Sequence, residues 1–315
     1  MSLIPFEISV LGVAIVVDLV LCEPPNAAHP VAWMGTAVSA ICERASKQGR
    51  LWPFLTGLCL MLVGIGIMVT VGLLLTWSIR WLPMPLALLA EAAALKMTFS
   101  IRGLMRAGRS VQSALATGDL PAARRLLSWH LVSRDTSMLN ESQVAAATIE
   151  SLAENTSDSI VAPLMFYACA GLPGALAYRF INTCDAILGY RDEEREWLGK
   201  APARVDDLAN FIPARSTAAL MIVAGILMGC NPIRAIAVWW RDRRMTASPN
   251  AGHPMSAAAG VLGVELEKAG QYRLGHGLRL PKLTDITRAA RLLGISTALA
   301  CVTLGGILFA TSSRP

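Results

Sequence analysis

The sequence predicts an all-α, polytopic integral membrane protein with about four to six membrane helices and helical polar loops. Three observations predict it. Of the 315 residues, 54% are hydrophobic and only 16% charged, where an ordinary soluble domain runs near 45–50% and about 25%. The mean hydropathy is +0.50. The apolar residues are also gathered into runs rather than spread: 29 uncharged residues lie between Arg50 and Arg80, and about 20 are enough for a helix to cross a bilayer core. The same composition excludes intrinsic disorder, a coiled coil and a collagen-like rod, each of which needs more charge or more Gly and Pro.

Along the chain, Leu3–Cys22 is a candidate span carrying Glu7 and Asp18. It is not a cleaved signal peptide, because the first basic residue is Arg44 and a signal needs a basic start. That charge distribution places the N-terminus outside and the segment around Arg44, Lys47 and Arg50 in the cytoplasm. Leu51–Ile79 is the clearest span, and Trp81–Leu95 a short one interrupted by Glu91. Residues 96–157 form a polar region of amphipathic helices, one of which starts at Asp119-Leu-Pro121. Ser159–Tyr178, Ser216–Ile233 and Leu292–Ser313 are uncharged runs of 20, 18 and 22 residues.

Basic residues are dense in all three polar regions, eight in 80–134, six in 179–215 and ten in 234–291. Strict in-and-out alternation would leave some of them on the wrong face. Ser159–Tyr178, which carries Pro163, Gly171, Pro173 and Gly174, is therefore expected to dip in and return. There is no internal repeat, low-complexity tract or alternating strand pattern, so residues 1–315 read as a single membrane domain. Seven cysteines occur singly and read as small buried hydrophobes. A net charge of +6 beside apolar spans reports orientation and membrane lipid, with no nucleic-acid partner.

The polar chemistry is concentrated in short stretches. Glu150, Glu154 and Asp158 are spaced four apart, with Asn155 beside them, so on an α-helix they share one stripe that runs into an apolar segment. Carboxylates at a membrane boundary mark an ion, a cationic partner or a substrate path more often than a solvated face. Asn182 and Asp185 form a second cluster; Arg204, Asp206, Asp207 and Asn210 form a third, followed by Arg215. Such oxygen ligands suit Mg²⁺, and arginines can grip phosphate through two parallel hydrogen bonds. Each cluster alone is equally compatible with a solvated loop. His29-Pro30 and His253-Pro254 read as turns at span edges. No P-loop and no Gly-x-Ser-x-Gly elbow is present.

Taken in order, these stretches resemble the CbiB/CobD family of cobalamin biosynthesis, the adenosylcobinamide-phosphate synthases. The resemblance runs from Asp18 through the His29-Pro-Val-x-x-Met-Gly35 pattern, Ser133–Ser137, Glu150–Asp158, Asn182–Asp185, Gly189-Tyr190, Ala203–Asp207, Asn210–Arg215 and Ser248–Gly252 to Tyr272–Gly275. Departures are small: Leu198 stands where an aromatic is usual, Ile187 where Met is usual, and Thr246-Ala247 where His often precedes Ser-Pro-Asn.

The resemblance implies a multi-pass enzyme of the inner membrane that joins adenosylcobyric acid to (R)-1-aminopropan-2-ol phosphate, with ATP and Mg²⁺. It implies catalytic roles for Glu154, Asp158 and Asp207, and Mg²⁺ on Asp158, Asp185 and Asp206. Substrate or phosphate would fall to Asn155, Asn182, Asn210, Arg134, Arg204 and Arg215. The corrinoid and the phosphorylated amine are the expected partners, together with membrane lipid and contact with other enzymes of the pathway. A regulatory membrane protein of the AmpE type, which resembles the same family, is the alternative. A transporter is a third reading and would need ionisable residues inside the spans.

Overall fold

The computed structural model describes residues 5–21, 23–45, 49–189 and 196–312. Leu3, Cys22, Lys47, Tyr190 and Ser313, named above, lie outside the described residues. The chain is built from α1 (Phe6–Val20), α2 (Pro30–Arg44), α3 (Leu51–Ile79), α4 (Met84–Lys96), α5 (Ile101–Ala116), α6 (Leu120–His130) and α7 (Glu141–Thr156). A π-helical turn (Ser157–Val161) leads to α8 (Ala162–Leu188), then α9 (Glu196–Ala209), α10 (Phe211–Leu227), α11 (Pro232–Asp242) and α12 (Gly252–Leu262). A hairpin of β1 (Leu266–Lys268) and β2 (Tyr272–Leu274) precedes α13 (Leu283–Ser312). These elements form two compact units. The first comprises Met1–Ser100, Ala162–Asn210 and Thr303–Pro315, and the second Ile101–Val161 and Phe211–Val302.

The protein is an all-α membrane protein. Leu51–Ile79, Glu141–Leu188 and Leu283–Thr311 are long and apolar enough to cross a bilayer, and the count reaches five if α4 with α5 and α9 with α10 each make one broken span. The expected spans near Leu3–Cys22, Trp81–Leu95 and Ser216–Ile233 appear as helices of 15, 13 and 17 residues, short of the about 20 a crossing needs.

In the first unit, α3 carries two faces. Leu62, Val63, Ile67, Leu73 and Leu74 are exposed on one side, as lipid contact requires. Pro53, Gly57, Met61, Gly64 and Gly72 are buried on the other. The glycines are there because backbones must come close: a side-chain carbon on Gly72 would stand 2.5 Å from Pro173 Cα, one on Gly64 would meet the Phe180 ring, and one on Gly57 the Leu198 carbonyl. Between lipid-embedded helices, close van der Waals packing of this kind replaces the hydrophobic driving force available in water. Trp52 and Trp77, near the two ends of α3, are exposed, the placement of interfacial aromatic belts.

The segment expected to dip and return does reverse. α8 is interrupted at Ala170 and at Gly171, whose φ is +63°, a value glycine adopts without steric cost. Pro173 then removes a backbone donor. Phe166 and Tyr178 stack with ring centroids 4.9 Å apart, although twelve residues of straight helix would separate them by about 18 Å. Gly174 packs on the Phe166 carbonyl, where a side-chain carbon would sit 2.5 Å away.

In the second unit, the Asp119 side chain accepts from Ala122 N at 2.9 Å and starts α6 at the expected place. Asn140 and Gln143 form a reciprocal capping box at the start of α7. α12 is buried along its whole length and packs on α7, α10 and α11. Asp285 secures the start of α13, accepting from Arg279 at 2.6 and 2.7 Å, Arg288 at 2.9 Å and Lys282 N at 2.9 Å.

Outside the helices, β1 and β2 pair antiparallel with Glu267 opposite Arg273; at three residues each they are too short to show an alternating pattern. Two expectations need correction. Cys59 and Cys169 are exposed rather than buried. Asp158 does not continue the Glu150–Glu154 stripe on one α-helix, because it lies in the π-turn, which changes the angular register.

Candidate functional site

The first unit gathers the acidic residues of α8 and α9. Asp185 and Asp207 both raise the electrostatic cost of charge on Asp206, and Asn182 hydrogen-bonds to it. Asp206 is 9% exposed. Its Oδ2 accepts from Asn210 Nδ2 at 3.0 Å, and Asn210 Oδ1 accepts from the Tyr178 hydroxyl at 2.8 Å. An ionised carboxylate only accepts, so Asn210 presents its N–H to Asp206 and its oxygen to the Tyr178 hydroxyl. Among the described residues, the other oxygen, Asp206 Oδ1, is buried and accepts no close hydrogen bond, with Asn182 the nearest side-chain donor.

Gly199 brings α8 and α9 close enough to form this arrangement, because a side-chain carbon there would run into the Leu188 carbonyl. At the end of α8, a side-chain carbon on Gly189 would stand 2.7 Å from the Asp185 carbonyl oxygen. Beside them is a cleft of about 260 Å³ lined by Gly189, Gly199, Lys200, Arg204 and Asp207. Arg204 is 78% exposed, with Nη1 4.0 Å from Asp207, and Lys200 lies 4.0 Å over the Trp197 ring. Cations at the mouth and carboxylates behind them suit a phosphate that arrives with a divalent cation.

The donor set fits Mg²⁺. No group of three or more His, Cys, Asp or Glu converges on one metal position among the described residues. Mg²⁺ does not need one, since it is usually held by one or two carboxylates with substrate phosphate and water completing the shell. Asp185 with the unpartnered oxygen of Asp206 supplies that minimum.

The same unit holds a network that the sequence reading treated as a turn. Lys96 is 2% exposed, 2.5 Å from Glu23 Oε2 and 3.4 Å from the buried Asp18 Oδ1. His29 caps α2, its Nδ1 accepting from Val31 N at 3.2 Å, and its Nε2 lies 3.3 Å from Glu23 Oε2. Burial raises the Glu23 carboxyl, but hydrogen bonds from His29, Lys96 and Ser100 and the charge of Lys96 outweigh it and bring the group down to about 2. The Asp18…His29-Pro pattern thus ties the α1–α2 connection to the end of α4. No local signal could have revealed Lys96 as its partner.

In the second unit, Glu150 is 5% exposed, and the Arg134 guanidinium lies 3.6 Å from its Oε2. Glu154 and Lys268 both act on Glu150 electrostatically. Burial and the charges of Glu150 and Glu154 push the Tyr272 hydroxyl well above the ordinary tyrosine range, so it stays a neutral donor. Asn155 Nδ2 donates to the Ser151 carbonyl at 3.0 Å, and its Oδ1 accepts from the Ser159 hydroxyl at 3.0 Å. Asp158 is in the adjoining π-turn, a feature frequent at functional sites. Arg215 Nη1 donates to the Phe211 carbonyl at 2.6 Å and to Asn250 Oδ1 at 3.1 Å.

Of the residues expected in the site, Asn182, Asp185, Asp206, Asp207 and Asn210 therefore come together in the first unit, with Arg204 at the cleft. Arg134 and Glu154 meet around Glu150 in the second. Tyr178 and Tyr272 are the polar partners that sequence reasoning passed over.

A family model described as CobD/Cbib protein matches residues 11–302. A probable cobalamin biosynthesis protein CobD of Methanothermobacter thermautotrophicus is 41% identical over 297 residues, covering 93% of this chain and 96% of that protein. The cobalamin biosynthesis protein CobD of Dehalococcoides mccartyi is 41% identical over 267 residues, covering 84% and 86%. That of Klebsiella pneumoniae is 34% identical over 317 residues, covering 94% and 96%. No solved structure matches the chain.

Proposed function

The chain belongs to the CobD/Cbib family and so to cobalamin biosynthesis, and from that premise we propose that it is an inner-membrane adenosylcobinamide-phosphate synthase. It condenses the free carboxylate of adenosylcobyric acid with the amine of (R)-1-aminopropan-2-ol phosphate at the expense of ATP. The observation that carries this reading is the buried Asp206, beside Asp185, with one oxygen fixed through Asn210 by Tyr178 and the other without a close donor among the described residues. A buried carboxylate oxygen with no donor is costly unless a cation satisfies it.

Carboxylate and amine do not condense unaided in water, so the carboxylate oxygen first attacks the γ-phosphorus of ATP and ADP departs. The amine nitrogen then attacks the acyl carbon, phosphate leaves, and the nitrogen gives up a proton. Asp185 and Asp206 would hold Mg²⁺, which neutralises phosphate charge during the transfer. Lys200 and Arg204 line the cleft where nucleotide oxygens bind, and Asp207, at the same cleft, takes the proton from the amine. Asn182 and Asn210 keep the carboxylates oriented. Glu154, Asp158 and Asn155 form a separate polar cluster on α7 and its π-turn in the second unit, where Arg134 balances Glu150.

The test is purified protein in lipid nanodiscs with adenosylcobyric acid, the phosphorylated amine and MgATP. Mass spectrometry should detect the amide, with one ADP formed per amide. Hydrolysis of ATP without amide, or no reaction with active membranes as control, would remove the assignment.

A further inference from the structure

We propose that the start of α12, in the second unit, is an oxyanion site that takes a phosphate group. The first observation is charge without compensation. Arg243 and Arg244 are close enough to Arg215 to act on its charge. The partners of Arg215 are the Phe211 and Asn250 oxygens and the Phe211 ring face, 3.6 Å from its guanidinium carbon. Arg243 lies 3.5 Å over the Trp240 ring and donates to the Trp240 carbonyl. Among the described residues, none of the three has a carboxylate within ion-pair distance. Three guanidinium groups held near one another on neutral partners repel until an anion arrives.

The second observation is a nearly buried histidine whose Nε2 proton has no acceptor in the described protein. His253 is 5% exposed, and the Trp239 indole N–H donates to its Nδ1 at 3.2 Å. Nδ1 is thus the acceptor, and the neutral ring carries its proton on Nε2. Burial and the charges of Arg215, Arg243 and Arg244 keep that ring neutral, bringing its pKa down to about 4. Among the described residues the Nε2–H has no acceptor. An N–H left without a protein acceptor beside three cations suits an anion.

The Ser248-Pro-Asn-Ala-Gly252 stretch, which the proposed reaction leaves without a role, builds this place. Ser248 Oγ accepts from Asn250 N at 3.2 Å and Ala251 N at 3.4 Å, and Asn250 Oδ1 fixes Arg215. A side-chain carbon on Gly252 would stand 2.5 Å from the Arg243 carbonyl, so glycine lets the loop press against Arg243. Ala251 offers no side-chain cap, which leaves the positive end of an 11-residue helix turned to the same place.

The shared chemistry is a phosphate carrying at least one full negative charge, and two sources could provide it: a soluble phosphoester such as the amine substrate, or the headgroup of an anionic lipid. Full-length protein in phosphatidylcholine nanodiscs, without corrinoid or nucleotide, is melted against rising inorganic phosphate and, separately, (R)-1-aminopropan-2-ol phosphate. The wild-type melting temperature should climb with either, and R243Q/R244Q and H253Q should need at least tenfold more ligand for the same rise. R244Q alone, at an exposed residue, guards against misfolding of the buried variant and should show the same direction. Phosphatidylglycerol nanodiscs that pre-empt the phosphate effect in wild type alone assign the site to a lipid headgroup; nanodisc composition without influence assigns it to a soluble phosphoester. A phosphate response that is absent in wild type, or equal in all variants, overturns the site. Because no turnover is read, either result leaves the ligase assignment to its own assay.

Discussion

The Tyr178 hydroxyl donates to Asn210 Oδ1 at 2.8 Å, across 32 positions of sequence. Through Asn210 Nδ2, 3.0 Å from Asp206 Oδ2, it governs the direction of a buried carboxylate. Tyr178 is fully buried, and its influence on Asp206 passes through Asn210.

Tyr178→Phe should therefore lower kcat about tenfold while leaving KM for the corrinoid little changed, the consequence of one lost hydrogen bond of about 1.4 kcal/mol. The Mg²⁺ concentration needed for half-maximal rate should rise at the same time. A steady-state comparison at saturating and limiting Mg²⁺ checks this. Unchanged Mg²⁺ dependence with a uniformly lower rate would make Tyr178 a packing residue.

Lys96 lies 3.4 Å from the buried Asp18 and 2.5 Å from Glu23, which His29 approaches at 3.3 Å. Lys96→Met should cost about 3–5 kcal/mol, because removing one member of a buried ion cluster leaves the remaining charge unpaired. Thermal melting in detergent reads the loss, and adding Asp18→Asn should restore part of it. Equal melting of Lys96→Met and wild type would contradict the network.

His253 gives a pH signature. Its folded pKa of about 4 lies below the ordinary 6.5, so between those values the unfolded chain binds a proton that the native protein does not. Stability is then fully present above about 6.5 and falls as pH drops toward 4. The facing charges are Arg215 from α10 and Arg243 and Arg244 after α11. His253→Gln should flatten the melting-temperature profile across that window; an identical slope in wild type and variant would place the pH dependence elsewhere.

Arg215→Lys keeps the charge and loses the planar guanidinium, whose Nη1 alone serves the Phe211 carbonyl and Asn250 and whose other N–H groups are left for a phosphate. It should raise KM for the phosphorylated amine by about tenfold or more with protein level unchanged. Identical kinetics would leave Arg215 as an organiser of the Asn250 loop.

Much of this was legible in the sequence, for local reasons. The uncharged run Leu51–Ile79 is a helix at the predicted bounds, and Gly171 with Pro173 marked the reversal inside α8. Asp206 and Asn210 are four apart, so their contact follows from helical geometry. What escaped depended on distance or on register. Lys96 meets Asp18 and Glu23 only because α1 packs on α4. The π-turn moves Asp158 out of a stripe that spacing alone predicts. Nothing near His253 in the sequence says that Trp239 will choose its tautomer.

The most direct measurement is amide formation by wild type and Asp206→Asn in matched nanodiscs, with adenosylcobyric acid, (R)-1-aminopropan-2-ol phosphate and a titration of Mg²⁺ at fixed ATP. The account predicts adenosylcobinamide phosphate from wild type, and a loss of about 10²-fold or more in Asp206→Asn, with melting no lower than wild type in the absence of metal because one of two neighbouring carboxylate charges is gone. Near-normal turnover of Asp206→Asn at low Mg²⁺, or no amide from wild type, would contradict it.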